Sequence, residues 1–213
     1  MNAITHHLPD EILAAYAGGS LDYAFELVVA AHVSLCDECR AALTAHEAAG
    51  GAVLEEVGAT AVSPELRSRL FAELAGPEPE AAVPTWRRRG PYPAPVVEAL
   101  EGAEPRWRSL GNGARQCMLE ESARGSVRLL YIPPGQAMPE HGHRGLELTL
   151  VLQGAYRDAS GRFGPGDVAV EDDDEGHQPI AEPGEVCICL AAADAPLHFR
   201  GIVPRLAQRF FRI

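Results

Sequence analysis

His32, Cys36 and Cys39, in the run His32-Val-Ser-Leu-Cys36-Asp-Glu-Cys39, are the side chains best placed by spacing to do chemistry. On helical or nearly helical backbone they fall at i, i+4 and i+7, so one imidazole and two thiols share a face one turn apart. Three such donors converging supply three corners of a tetrahedral zinc site. The fourth corner must come from elsewhere, and His6-His7 is the histidine pair nearby. Spacing does not choose between the two. A redox Cys-x-x-Cys would sit beside a βαβ pattern, and none surrounds this one.

A second constellation lies further on. His141 and His143 flank one glycine, so in extended chain they point to the same side. Glu147 follows, and His177 comes after the acidic run at 171–175. Three imidazoles and a carboxylate suit Zn, Mn, Fe or Ni without choosing among them. Open coordination positions would make such a site catalytic or sensory. Cys187 and Cys189, at i and i+2 of a predicted strand, are candidate redox groups; a buried strand pair is the plainer reading.

The first group needs helices to position it. Pro9, Asp10 and Glu11 ahead of an apolar run that ends at Gly18-Gly19 are helix punctuation. A second helix is predicted from Ser20 as N-cap, with Leu21, Ala24, Phe25, Val28 and Val29 on one face, delivering His32 near its end. A third runs from about Cys36 to Ala49 and stops at Gly50-Gly51. A fourth opens at Ser63-Pro64-Glu65 with a stripe of Leu66, Leu70, Phe71 and Leu74. Four short helices make a thin core, which a metal or a partner must support.

Residues 76–95 hold six prolines and the Arg87–Arg89 triplet, and read as an extended, solvated linker without regular helix. Beyond it the period becomes alternating. Strands are predicted at 127–132, 146–153, 168–170, 186–190 and 197–199, with 207–213 closing the sheet. Short strands with Gly/Pro turns point to a β-sandwich or small barrel. The division is 1–78 helical, 79–96 linker and 97–213 β.

The 213 residues carry a net charge of −12, and every basic residue is Arg. Residues 1–82 hold 13 Asp and Glu against 3 Arg. Such an acidic half disfavours direct nucleic-acid binding and suits a basic protein surface. No apolar run reaches membrane-spanning length, and the start lacks the basic and apolar regions of a secretory signal. A cytoplasmic protein with reduced cysteines is expected.

The spacing Gly135-(5)-His141-Gly142-His143-(3)-Glu147-(6)-Gly154 matches the first cupin motif at every defined position. Gly164-Pro165-Gly166-Asp167 looks like the turn of the second, although ten residues separate Gly166 from His177 and Ala181 stands where asparagine is often found. A His-x3-Cys-x2-Cys helical unit followed by a cupin resembles the ChrR-type zinc anti-sigma factors over essentially the whole chain. The resemblance implies a multi-domain α + β protein: a small zinc-bound helical bundle, then a cupin of the jelly-roll barrel type. It implies zinc on His7, His32, Cys36 and Cys39, the choice of His7 over His6 coming from the resemblance alone. It further implies a cupin metal, zinc or another divalent ion, on His141, His143, Glu147 and His177. The implied partner is an extracytoplasmic-function sigma factor, released on an oxidative signal such as singlet oxygen, with no enzymatic role. The alternative is a metal-dependent cupin enzyme, a dioxygenase or isomerase, with a helical regulatory appendage.

Overall fold

The computed structural model describes residues 3–76, 85–142, 145–172 and 176–195, and the backbone of 198–199. Helix α1 (Asp10–Ala17) follows Pro9 and carries Asp10 and Glu11 in its first turn, where acids favour the positive end of the helix dipole. Helix α2 (Tyr23–Val33) starts later than a Ser20 cap would place it. Asp22 holds the N-cap position, and Ser20 Oγ donates to Ala15 O, closing off α1 instead. Helix α3 (Asp37–Glu56) runs straight through Gly50-Gly51, where a stop was expected. Each glycine costs a helix interior about 1 kcal/mol, and the helix-forming alanines, leucine and glutamates around the pair absorb that cost. Helix α4 (Pro64–Leu74) opens as predicted, with Ser63 Oγ accepting from Leu66 N at 3.2 Å.

From residue 85 on, the expected linker is more structured than its composition suggests; its residues 79–84 lie outside the described residues. Helix α5 (Ala94–Ala99) begins inside it, with Pro93 at the N-cap and Pro95 in the first turn, where a missing N–H leaves no bond unmade. Proline density here starts a helix rather than excluding one. Arg89 is not merely solvated either: its guanidinium donates to Gly102 O and Ala103 O, both at 2.8 Å.

The β region comprises β1 (Arg108–Gly111), β2 (Ala114–Ser122), β3 (Gly125–Ile132), β4 (His141–Gly142), β5 (Glu147–Gln153), β6 (Tyr156–Arg157), β7 (Arg162–Phe163), β8 (Val168–Glu171), β9 (Ile180–Ala181), β10 (Cys187–Ala193) and β11 (His198–Phe199). An antiparallel six-stranded sheet runs β1-β2-β3-β10-β5-β8, accompanied by β7-β6-β9 and the pair β11-β4. The hairpin β1-β2 had drawn no prediction, because its sequence mixes charge and apolar residues without clean alternation. The strand expected at 207–213 lies outside the described residues.

Strand β5 explains how the two parts fit. Its leucines 148, 150 and 152 are buried, but so are Glu147 and Val151 on the other side. The Glu147 face, with Thr149, looks into a cavity of about 180 Å³ that Leu130, Ile132 and Cys189 also line. The leucine face turns outward and is covered by α2, which packs on β10, β3 and β5. Helix α2 is therefore buried nearly all round, including Phe25, Val28, Val29 and His32. A single hydrophobic core joins α1, α2 and α3 to the six-stranded sheet. Each large aliphatic fully buried there contributes about 1.5–3 kcal/mol. The support that the thin helical core required comes in part from the cupin wall.

The remainder of the helical region does not join this core. Every residue from 47 to 76 is exposed, among them Val53, Leu54, Val57, Val62, Leu66, Leu70, Phe71 and Leu74. This second half of α3 with α4 forms a projecting apolar arm. Among the described residues no helix is long and apolar enough to cross a membrane.

Candidate metal centres

The helical spacing of His32 and Cys36 survives the end of α2, since Cys36 N donates to His32 O at 2.8 Å. Cys36 then turns extended (φ −107°, ψ 112°) and caps α3, its Sγ accepting from Cys39 N at 3.5 Å. The segment before α1 brings in His7, whose Nδ1 lies 3.3 Å from Cys36 Sγ and 3.7 Å from Cys39 Sγ. Its Nε2 is 3.4 Å from Glu38 Oε2. One ligand atom from each of His7, His32, Cys36 and Cys39 falls within 4.8 Å of the others. His6 turns the opposite way, its ring 4.3 Å from that of Phe163 and its Nδ1 3.6 Å from Asp167 Oδ1.

The quartet fits a metal on its own chemistry. His32 Nδ1 lies 3.0 Å from Gly166 O, and a carbonyl only accepts, so the proton sits on Nδ1 and Nε2 carries a lone pair. That Nε2 is the one buried side-chain nitrogen or oxygen without a hydrogen-bond partner among the described residues. Burying an unpaired polar atom is costly, and a cation at the quartet would satisfy it. Burial lowers the His32 pKa to about 4, keeping the ring neutral. Burial, reinforced by the neighbouring Cys36, pushes the Cys39 thiol up to about 11. Two nitrogens and two sulfurs make the donor set of a structural zinc site.

In the cupin, His141 and His177 face each other across an antiparallel bridge, His141 N donating to His177 O at 3.1 Å and His177 N to His141 O at 2.9 Å. His141 Nδ1 donates to Pro139 O at 2.8 Å, and His177 Nδ1 donates to Asp158 Oδ2 at 3.0 Å. Both Nε2 atoms are thereby directed inward, 3.1 Å apart. Glu147 lines the same cavity, its Oε1 accepting from Thr149 Oγ1 at 3.0 Å. His143 lies outside the described residues. His141, Glu147 and His177 line one cavity, but the described residues there whose ligand atoms lie within 4.8 Å of one another are Asp158, Glu171 and His177.

Sequence reasoning missed Asp158. Its side chain is fully buried and groups with Glu171 and His177 within 4.8 Å. Its Oδ1 accepts from Ser160 N at 2.9 Å, so in sequence it reads only as a turn aspartate. Cys187 and Cys189 do come together, Sγ to Sγ 3.6 Å, both buried. The Cys187 hydrogen bond and burial raise the Cys189 thiol well above its usual range. Cys189 is thus held as a thiol rather than as a reactive thiolate.

A four-donor helical unit docked on the wall of a cupin makes a two-part protein. Residues 98–195 match the ChrR cupin-like domain. The chain is 49% identical over 212 residues to the anti-sigma-E factor ChrR of Cereibacter sphaeroides, covering 99% of both. It also resembles the crystal structure of Rhodobacter sphaeroides SigE in complex with the anti-sigma ChrR, at a TM-score of 0.80 and 47% identity, over 90% of this chain and 100% of that one. The chain belongs to the ChrR family of anti-sigma factors.

Proposed function

We propose that this protein sequesters an extracytoplasmic-function sigma factor in the cytoplasm through a zinc-bound helical domain, residues 1–78. The cupin, residues 97–213 beyond the 79–96 connection, releases it on an oxidative signal such as singlet oxygen. The observation that carries the reading is the projecting arm, with eight large apolar side chains exposed between Val53 and Leu74 and a metal quartet at its base. Large apolar side chains left exposed in such number on neighbouring stretches of chain mark a protein interface. The related ChrR is seen in complex with SigE, which supplies the class of partner. The acidity of the helical part suits the basic surface by which a sigma factor engages polymerase.

His7 through Nδ1, His32 through Nε2, and the Cys36 and Cys39 thiolates would hold the zinc. Bound there, zinc would tie the N-terminal segment, α2 and the start of α3 together. In the cupin, His141, His143, Glu147 and His177 would hold zinc or another divalent ion. Asp158 keeps the proton of His177 on Nδ1 and its Nε2 toward the cavity. Asp158→Asn is expected to weaken cupin metal affinity by about 10–100-fold, the usual effect of losing such a partner. Chelator competition on the full chain measures this, and unchanged affinity in the folded variant would remove Asp158 from the site.

The functional test is transcription by core polymerase with the cognate extracytoplasmic-function sigma factor. The zinc-loaded full chain should inhibit at near-stoichiometric amounts. Full transcription in large molar excess of folded, metal-loaded chain would overturn the reading.

A further inference from the structure

We propose that the Gly164–Asp167 turn of the cupin is a positioning element of the helical metal centre, Gly166 orienting His32 and Asp167 anchoring the segment that delivers His7. This rests on the four-donor reading of His7, His32, Cys36 and Cys39. His32 leans across the domain seam, and its Nδ1–H donates to Gly166 O, 134 positions away, at 3.0 Å. That single bond fixes the tautomer and aims Nε2 at the quartet. Asp167, 4% exposed, holds the other side. Its Oδ1 accepts from Thr5 N at 2.7 Å and His6 N at 3.0 Å, while Oδ2 accepts from Gly164 N at 2.8 Å and closes the turn. Val168 N donates to His6 O at 3.2 Å, so the N-terminal segment lies along the start of β8.

The turn is also shaped to receive that segment. Gly166 sits at φ +94°, and a Cβ there would lie 2.6 Å from the Ile4 side chain. A left-handed conformation and a close approach together call for glycine. The next side chain after His6 is His7, with Nδ1 3.3 Å from Cys36 Sγ. Two of the four donors are therefore held in place by cupin backbone and a cupin carboxylate. Groups of this kind orient metal ligands and tune affinity. By linkage, metal at the quartet and docking of the turn stabilise each other.

The test uses the full chain loaded with Co(II). In a Cys189→Ala background, which removes the thiol lining the cupin cavity, a thiolate-to-cobalt charge-transfer band reports on Cys36 and Cys39, because the proposed cupin donors are nitrogen and oxygen. Asp167→Asn keeps the shape but meets three N–H donors with one acceptor oxygen. Chelator should then strip the thiolate–cobalt signal at least about tenfold faster. Thr5→Pro removes both Thr5 donors to Asp167, the N–H and the Oγ1–H, and leaves the turn's own Gly164 bond intact; it is expected to act in the same direction. If Asp167→Asn fails to fold, Thr5→Pro decides. Wild-type rates in the folded variants would overturn the positioning role. A wild-type chain with no thiolate–cobalt band would instead overturn the four-donor reading beneath it.

Discussion

Leu70→Glu combined with Phe71→Glu should cost about 1,000-fold in sigma-factor affinity, or about 4 kcal/mol, the scale of losing two hot-spot anchors. The two side chains are 49% and 59% exposed in the free protein and join no buried cluster. Glutamate is a good helix former, so α4 should persist and the melting temperature should hardly move. That separation makes the variant informative: the fold does not need these residues, and the partner does. Phe71 also has the Arg67 guanidinium 5.5 Å from its ring centre, a contact within α4 that an acidic replacement converts to an ion pair. Titration calorimetry against the sigma factor reads the result. Affinity within about threefold of wild type, roughly 0.7 kcal/mol, would place the docking surface elsewhere.

Cys36→Ser with Cys39→Ser should remove one equivalent of zinc per chain and weaken sigma binding on the order of 100-fold, about 2.7 kcal/mol. The serine replacement is chosen because Cys36 is also the N-cap of α3. Serine caps a helix well, so the start of α3 is preserved and a loss of binding traces to the metal. The cupin donors are untouched, and their metal should remain. Helix α2 should stay docked, since most of its buried face packs on β3, β5 and β10 of the sheet. Metal analysis alongside a binding titration decides the matter. A metal-free double variant that still captures sigma factor at wild-type affinity would sink the structural role of zinc.

The spacing of His32, Cys36 and Cys39 was legible because one turn of hydrogen bonding persists across the break between α2 and α3. The fourth donor was not. Neighbouring histidines in extended chain face opposite ways, and only tertiary contacts with Phe163 and Asp167 send His6 one way and His7 the other. Gly50-Gly51 misled because glycine weakens a helix without forbidding it, and the arm imposes no packing that would break there. The alternation along 146–153 identified β5 correctly as a strand, but pattern alone cannot tell that its leucines lie under a helix and its glutamate in a cavity. Asp158 and Gly166 act through atoms more than fifteen residues distant in sequence, a backbone carbonyl in one case. No composition or period encodes such contacts.

The leucine face of β5 sets where this molecule can be recombined. A chimera that joins these helices to another cupin at the proline-rich connection would strip Phe25, Val28 and Val29 of the surface they were shaped against. The same cut would expose Leu148, Leu150 and Leu152 on the donor side. The portable module is therefore the cupin with residues 4–46 included, and the interchangeable part is the arm. New sigma specificity is best sought by exchanging residues 47–76, where no buried contact has to be rebuilt.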